Sequence, residues 1–130
     1  MTKYSPWGRI HYQTIFEIGV QRVNTGTHGG FMIDKKYAEE FLSEAARSRG
    51  MDYGRFLCYE EDCDWTIPAF ELEHLHEKIF ASFNYKGNLA PKEFLLRSLS
   101  AWSRAYLVER NIEPTPGVED EVAAMNARLN

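Results

Sequence analysis

Cysteine is scarce in this chain of 130 residues: Cys58 and Cys63 are the only two. Two cysteines exclude a disulfide scaffold, and their spacing of five is not the Cys-x-x-Cys of a zinc knuckle or a redox centre. No apolar run approaches the roughly 20 residues of a membrane span. Met1-Thr2-Lys3-Tyr4-Ser5-Pro6 has no apolar signal-peptide core. A basic excess is also missing, since 15 Lys and Arg face 19 Asp and Glu, for a net charge of −4. That balance makes direct nucleic-acid binding a poor expectation. Gly-x-Gly-x-x-Gly, a Walker loop, Gly-x-Ser-x-Gly and His-Glu-x-x-His are all absent, which removes the common nucleotide, hydrolase and zinc-protease signatures. There is no internal repeat and no low-complexity tract. These absences together predict a cytoplasmic protein without a membrane segment.

Composition is otherwise globular. Apolar residues make up 44% and charged residues 26%, enough to bury about two-thirds of the unfolded surface without a metal or disulfide staple. Length predicts one domain over 1–130, with 1–60 mostly β plus one helix and 61–130 mostly helical. From Gly8 to Val23, Ile10, Tyr12, Thr14 and Phe16 alternate with polar residues. Gly19 then marks the turn of a hairpin whose second strand is Val20–Val23. Phe31–Ile33 reads as a third strand. Asp34 is a good N-cap for a helix from about Lys35 to Arg49, with Tyr37, Phe41, Leu42 and Ala45 on one face and Gly50 as its stop. Arg55–Tyr59 reads as another strand. Pro68 can open a helix carrying the stripe Leu72, Leu75, Ile79 and Phe83. Pro91 opens a further helix, running to Arg110, with Leu95, Leu99, Trp102 and Tyr106 on its apolar face. After a connector with Pro114 and Pro116, Val118, Val122, Met125 and Leu129 suggest a short last helix. The expected fold is α+β, a small antiparallel sheet packed on one face by three to four helices.

Three stretches carry candidate chemistry. In Thr27-His28-Gly29-Gly30 the glycines predict a loop whose backbone N–H groups can cradle an anion; the plain reading is a tight turn with His28 bonded to a carboxylate. The second stretch is acidic. Residues 56–77 hold seven acids, Glu60, Glu61, Asp62, Asp64, Glu71, Glu73 and Glu77, and no Lys or Arg. The rest of the chain carries 15 bases against 12 acids, so the whole acidic excess lies in this one segment. Clustered carboxylates can hold Mg²⁺ or Ca²⁺, work with a neighbouring His in acid–base catalysis, or meet a basic protein groove. They also suit a solvated turn and a helix N-terminus. Third, His74 and His76 are two apart, so on a helix they face different ways and do not chelate one metal; one is expected exposed and the other packed at the helix edge. Cys63 is a poor nucleophile, because surrounding acids suppress its thiolate.

Ser5-Pro6-Trp7-Gly8, then Thr27-His28-Gly29-Gly30-Phe31, then Tyr59-Glu60-Glu61-Asp62-Cys63-Asp64-Trp65 occur in that order. The ordered set, over roughly residues 5–83, resembles a small domain family of unknown function found in phage, plasmid and other mobile-element proteins. The resemblance brings no activity. It implies that His28 and the Glu60–Asp64 run lie close in space, and a setting in which small acidic, aromatic-rich proteins block host complexes.

The expected function is therefore that of an interaction protein of the anti-CRISPR or anti-restriction type. Its partner would be a host protein or nucleoprotein complex, met through Glu60, Glu61, Asp62, Asp64, Trp65, His28, Glu71 and Glu73, with no cofactor and no membrane. The alternative is a metal-dependent hydrolase or nuclease, with His28 as acid or base and Glu61 and Asp62 as metal ligands.

Overall fold

The computed structural model describes residues 3–116. The helix expected over 118–129 lies outside the described residues.

The β-branched and aromatic front of the chain forms two sheets. A small hairpin pairs β1 (Tyr4–Ser5) with β2 (Gly8–Arg9). Then β3 (Tyr12–Glu17), β4 (Val20–Asn24), β5 (Gly29–Asp34), β6 (Met51–Tyr53) and β7 (Phe56–Glu60) build a five-stranded antiparallel sheet in the order β3-β4-β5-β7-β6. Gly19, at φ +102°, makes the β3–β4 turn, a conformation that costs a side-chain-bearing residue. The fold is α+β, as expected. The strand read from Gly8 starts only at Tyr12, and β6 carried no pattern long enough to read.

Alternate residues split between the two faces of the sheet. Phe31, Ile33, Leu57 and Tyr59 enter the main core with the helices. Val23, Met32, Phe56 and Cys58 make a smaller cluster on the other face, partly covered by Trp7, Ile10 and Tyr53. Helices therefore cover one face, and the N-terminal hairpin covers part of the other.

Each long helix expected from periodicity is broken. The first becomes α1 (Lys35–Phe41) and α2 (Glu44–Arg47). Asp34 caps α1 by accepting from Lys36 N at 2.9 Å. Leu42 then turns extended, and Ser43 caps α2 by accepting from Ala46 N at 3.1 Å. The second becomes α3 (Thr66–Glu71), a 3₁₀ turn (Glu73–Leu75) and α4 (His76–Ser82), with the break at Leu72. Its stripe survives, since Leu72, Leu75, Ile79 and Phe83 are all buried. Pro68 is the third residue of α3, not its first. The third becomes α5 (Pro91–Trp102) and α6 (Arg104–Glu109), broken at Ser103. Pro91 does open α5, and Leu95, Leu99 and Tyr106 are buried, but Trp102 is 53% exposed. Phe41, expected on the buried face of the first helix, is also exposed.

Candidate functional site

Gly29 and Gly30 are strand residues of β5, not a loop with unusual angles. Glycine stands there because nothing larger fits. A Cβ on Gly30 would lie 2.2 Å from the Tyr59 carbonyl oxygen and 2.6 Å from the Trp7 ring. One on Gly29 would meet the Val23 carbonyl at 2.4 Å and the Glu61 carboxylate at 3.0 Å. The backbone N of Glu61 donates to Gly29 O at 3.0 Å. The three motifs thus meet at this pair of glycines: the indole of the first lies on Gly30 at one face of the strand, and Glu61 of the third lies against Gly29 at the other. His28, one residue before this junction, has an exposed side chain. Its backbone is held by Thr25, whose Oγ donates to His28 O at 2.8 Å.

The acidic turn is anchored from beneath. Trp65 is 3% exposed and packs on Phe83, with ring centroids 4.7 Å apart, and on Phe31 at 5.7 Å. It belongs to the core and leaves the set of surface contacts. Trp65 N donates to Glu60 O at 3.0 Å, and Thr66 Oγ to Cys63 O at 2.6 Å. Arg22 reaches across the sheet. Its guanidinium lies 4.1 Å from the Phe83 ring centroid, donates to Ser82 O at 2.9 Å and meets Glu61 Oε1 at 3.3 Å.

Two of the other acids are also spent on the fold or paired. The Glu71 side chain is 6% exposed and accepts from Ser43 N at 2.7 Å, Ser43 Oγ at 2.6 Å, Tyr106 Oη and Arg110. It is a structural hub, not part of an acidic surface. Glu73 meets Lys92 at 3.3 Å on the surface. Glu60, Asp62 and Asp64 remain on the turn, and among the described residues no basic side chain forms an ion pair with them. They gather around Cys63, whose thiol is pushed up to about 11 by burial first and then by Asp64, Glu60 and Asp62. Burial pushes the Cys58 thiol up to about 12. Neither cysteine is a ready nucleophile at neutral pH.

For the metal-hydrolase alternative, Glu61 is tied to Arg22, and no group of three His, Cys, Asp or Glu side chains placed to hold an ion occurs among the described residues. Of the two histidines on the helical stretch, His74 is exposed and His76 is buried, donating through Nε2 to Ala69 O at 2.7 Å.

A second constellation had no local signal. Glu17 accepts from Tyr37 Oη and pairs with His74 Nε2 at 2.9 Å, across separations of 20 and 57 residues. The Tyr37 bond first, and then His74, hold the Glu17 carboxyl below its ordinary range. Burial and the Glu17 charge raise the Tyr37 hydroxyl well above its own. Beside this cluster runs an open apolar groove of about 540 Å³ on the outer sheet face, lined among others by Ile15, Ile18, Gln21, Tyr37 and Phe56. Glu71 did leave a trace in the sequence, as an acid lodged between Phe70 and Leu72 in an otherwise apolar run.

Fold and site together define a small α+β domain whose N-terminal hairpin covers part of one face of its sheet. The chain belongs to the family described as Domain of unknown function (DUF7007), whose model matches residues 1–122, well past the stretch that carries the three motifs. No curated protein and no solved structure matches it. Among the described residues no helix is long and apolar enough to cross a membrane.

Proposed function

We propose that this domain is a stoichiometric binding protein of a phage or other mobile element. It docks its acidic turn on a basic groove of a host nucleic-acid machine in the host cytoplasm, a CRISPR effector or restriction complex, and blocks it. The observation that carries this reading is the pre-organisation of Glu60, Asp62 and Asp64. Their turn is fixed from below by Trp65 and alongside by the Arg22–Glu61 brace, and among the described residues no basic side chain pairs with them. A rigid turn loses little conformational freedom on docking, and a concentrated negative potential steers association with a positive groove. The mobile-element setting rests on the three ordered motifs. The high-lying thiols and the tied Glu61 favour binding over catalysis.

The test is paired affinity capture from a host lysate, with the wild-type chain and a Glu60→Lys/Asp62→Lys/Asp64→Lys variant as baits. The expected result is a nucleoprotein complex held by the wild type at low salt, released as salt rises, and bound about tenfold more weakly by the variant. Equal retention by both baits, or capture of no nucleic-acid-binding protein, rejects the proposal. Matched thermal melts show that the variant is folded.

A further inference from the structure

We propose that the N-terminal hairpin is a lid: it lifts off the outer sheet face as a local unit, without unfolding the sheet, and bares the apolar cluster beneath it. The hairpin is braced within itself. Pro6 and Trp7 make the turn between β1 and β2, with proline's fixed φ suited to that place. Ser5 Oγ accepts from Trp7 N at 3.2 Å and donates to Gly8 O at 2.9 Å. At the open end Ile10 N donates to Lys3 O at 2.9 Å.

Its ties to the body are of another kind. β1 and β2 form a sheet of their own, so the ladder of the five-stranded sheet does not run through them. Among the described residues, no hydrogen bond, ion pair or ring contact joins residues 3–9 to that sheet or to the helices. The first backbone bond to the sheet is His11 N to Asn24 O at 2.8 Å, at the root of the hairpin, which makes Ile10–His11 the hinge. Packing alone holds the hairpin down: the Trp7 ring lies on Gly30, and Trp7 and Ile10 pack against Val23, Met32, Phe56 and Cys58. Lifting it therefore breaks no buried hydrogen bond and costs only the apolar contact, less than opening the whole domain. The register sets Val23 opposite Gly30 and Met32 opposite Cys58, all on the outer face. Phe56 lines both this cluster and the open groove beside Ile15 and Ile18. With the lid up, cluster and groove join into one apolar cleft. Cys58, 2% exposed with the lid down, reports its position. The lid stands apart from the function proposed for the acidic turn.

Alkylation of Cys58 by iodoacetamide tests the lid, with tandem mass spectrometry on the full chain reading Cys58 apart from Cys63. In the wild type Cys58 is expected to react at least about tenfold faster than global unfolding, measured by urea melts, allows, and its rate should hardly change at low urea. Trp7→Ala is expected to speed the reaction about another tenfold, after allowance for the change in its own melt. A Cys58 rate that follows global unfolding, with the full urea slope, overturns the proposal, and the wild type decides this even where the variant does not fold. So does acceleration in Tyr53→Ala with none in Trp7→Ala, because the opening then lies at the β6 edge of the cluster.

Discussion

Replacing Glu71 with Gln keeps the volume of the side chain and removes its charge. The carboxylate joins three parts of the helical layer: Ser43 at the start of α2, Tyr106 in α6 and Arg110 just beyond it. It is almost fully buried, and Tyr106 is completely so. In the variant the amide NH₂ must face groups that mostly donate. The Ser43 N–H and the Arg110 guanidinium cannot act as acceptors. Each hydrogen bond to a charged group is worth about 1.5–3 kcal/mol, and breaking a buried pair costs about 3–5 kcal/mol. Arg110 is one-third exposed, so water recovers part of its solvation and the lower end of that range applies. The expected loss is about 3 kcal/mol. With an unfolding entropy near 2.1 cal/mol/K per residue, a chain of this length loses about 11 °C in melting temperature. Calorimetry on Glu71→Gln beside Glu73→Gln provides the contrast. The exposed Glu73–Lys92 pair is expected to be worth under about 0.5 kcal/mol, or about 2 °C. If the two variants melt together, Glu71 is not a hub and the assignment of its charge to the fold is wrong. A Tyr106→Phe change in the Glu71→Gln background should then cost about 1 kcal/mol less than it does alone.

Gly30→Ala is expected to destabilise by about 3 kcal/mol in a urea titration, because the new methyl meets a strand carbonyl as well as the Trp7 ring. Gly54→Ala has open space around it and only an unfavourable φ, so about 1 kcal/mol is expected there; equal losses would refute the packing account. The Glu17 carboxyl has its folded pKa below the ordinary 4.5. Its contribution to stability is therefore complete above that ordinary value and is lost as pH falls through the lowered one. In Tyr37→Phe the carboxyl titration followed by NMR should move back up toward 4.5, and a curve that stays put would sever the link between the two groups.

Much of the fold was readable where a local pattern carried it. Alternation marked β3 and β4, Asp34 marked the start of α1, and Pro91 marked the start of α5. The helix breaks at Leu42, Leu72 and Ser103 were not readable. At the first of them Glu71, 28 residues away, captures the backbone of Ser43, and no periodicity reports such a partner. Gly29 and Gly30 read as a loop because glycine is depleted in strands. Their use here is to let the Trp7 ring and neighbouring backbone come close, which no local window contains. The meeting of the His28 segment with the acidic turn was implied by the family resemblance, and Glu61 N donates to Gly29 O beside His28. Trp65 and Glu71 were read as surface residues because both fall in the segment of seven acids that holds no Lys or Arg. The structure turns both inward, and the carboxylates left on the turn beside the Arg22–Glu61 pair are Glu60, Asp62 and Asp64 around Cys63.

The resting place of Trp7 has a bearing on how the chain assembles during synthesis. That place consists of Gly30 and the cluster of Val23, Met32, Phe56 and Cys58, whose parts are joined only once β7 has zipped against β5. The opening hairpin leaves the ribosome some fifty residues before its berth exists. The hairpin is in this way synthesised before the surface it covers, and it can settle there only once β5 and β7 are paired.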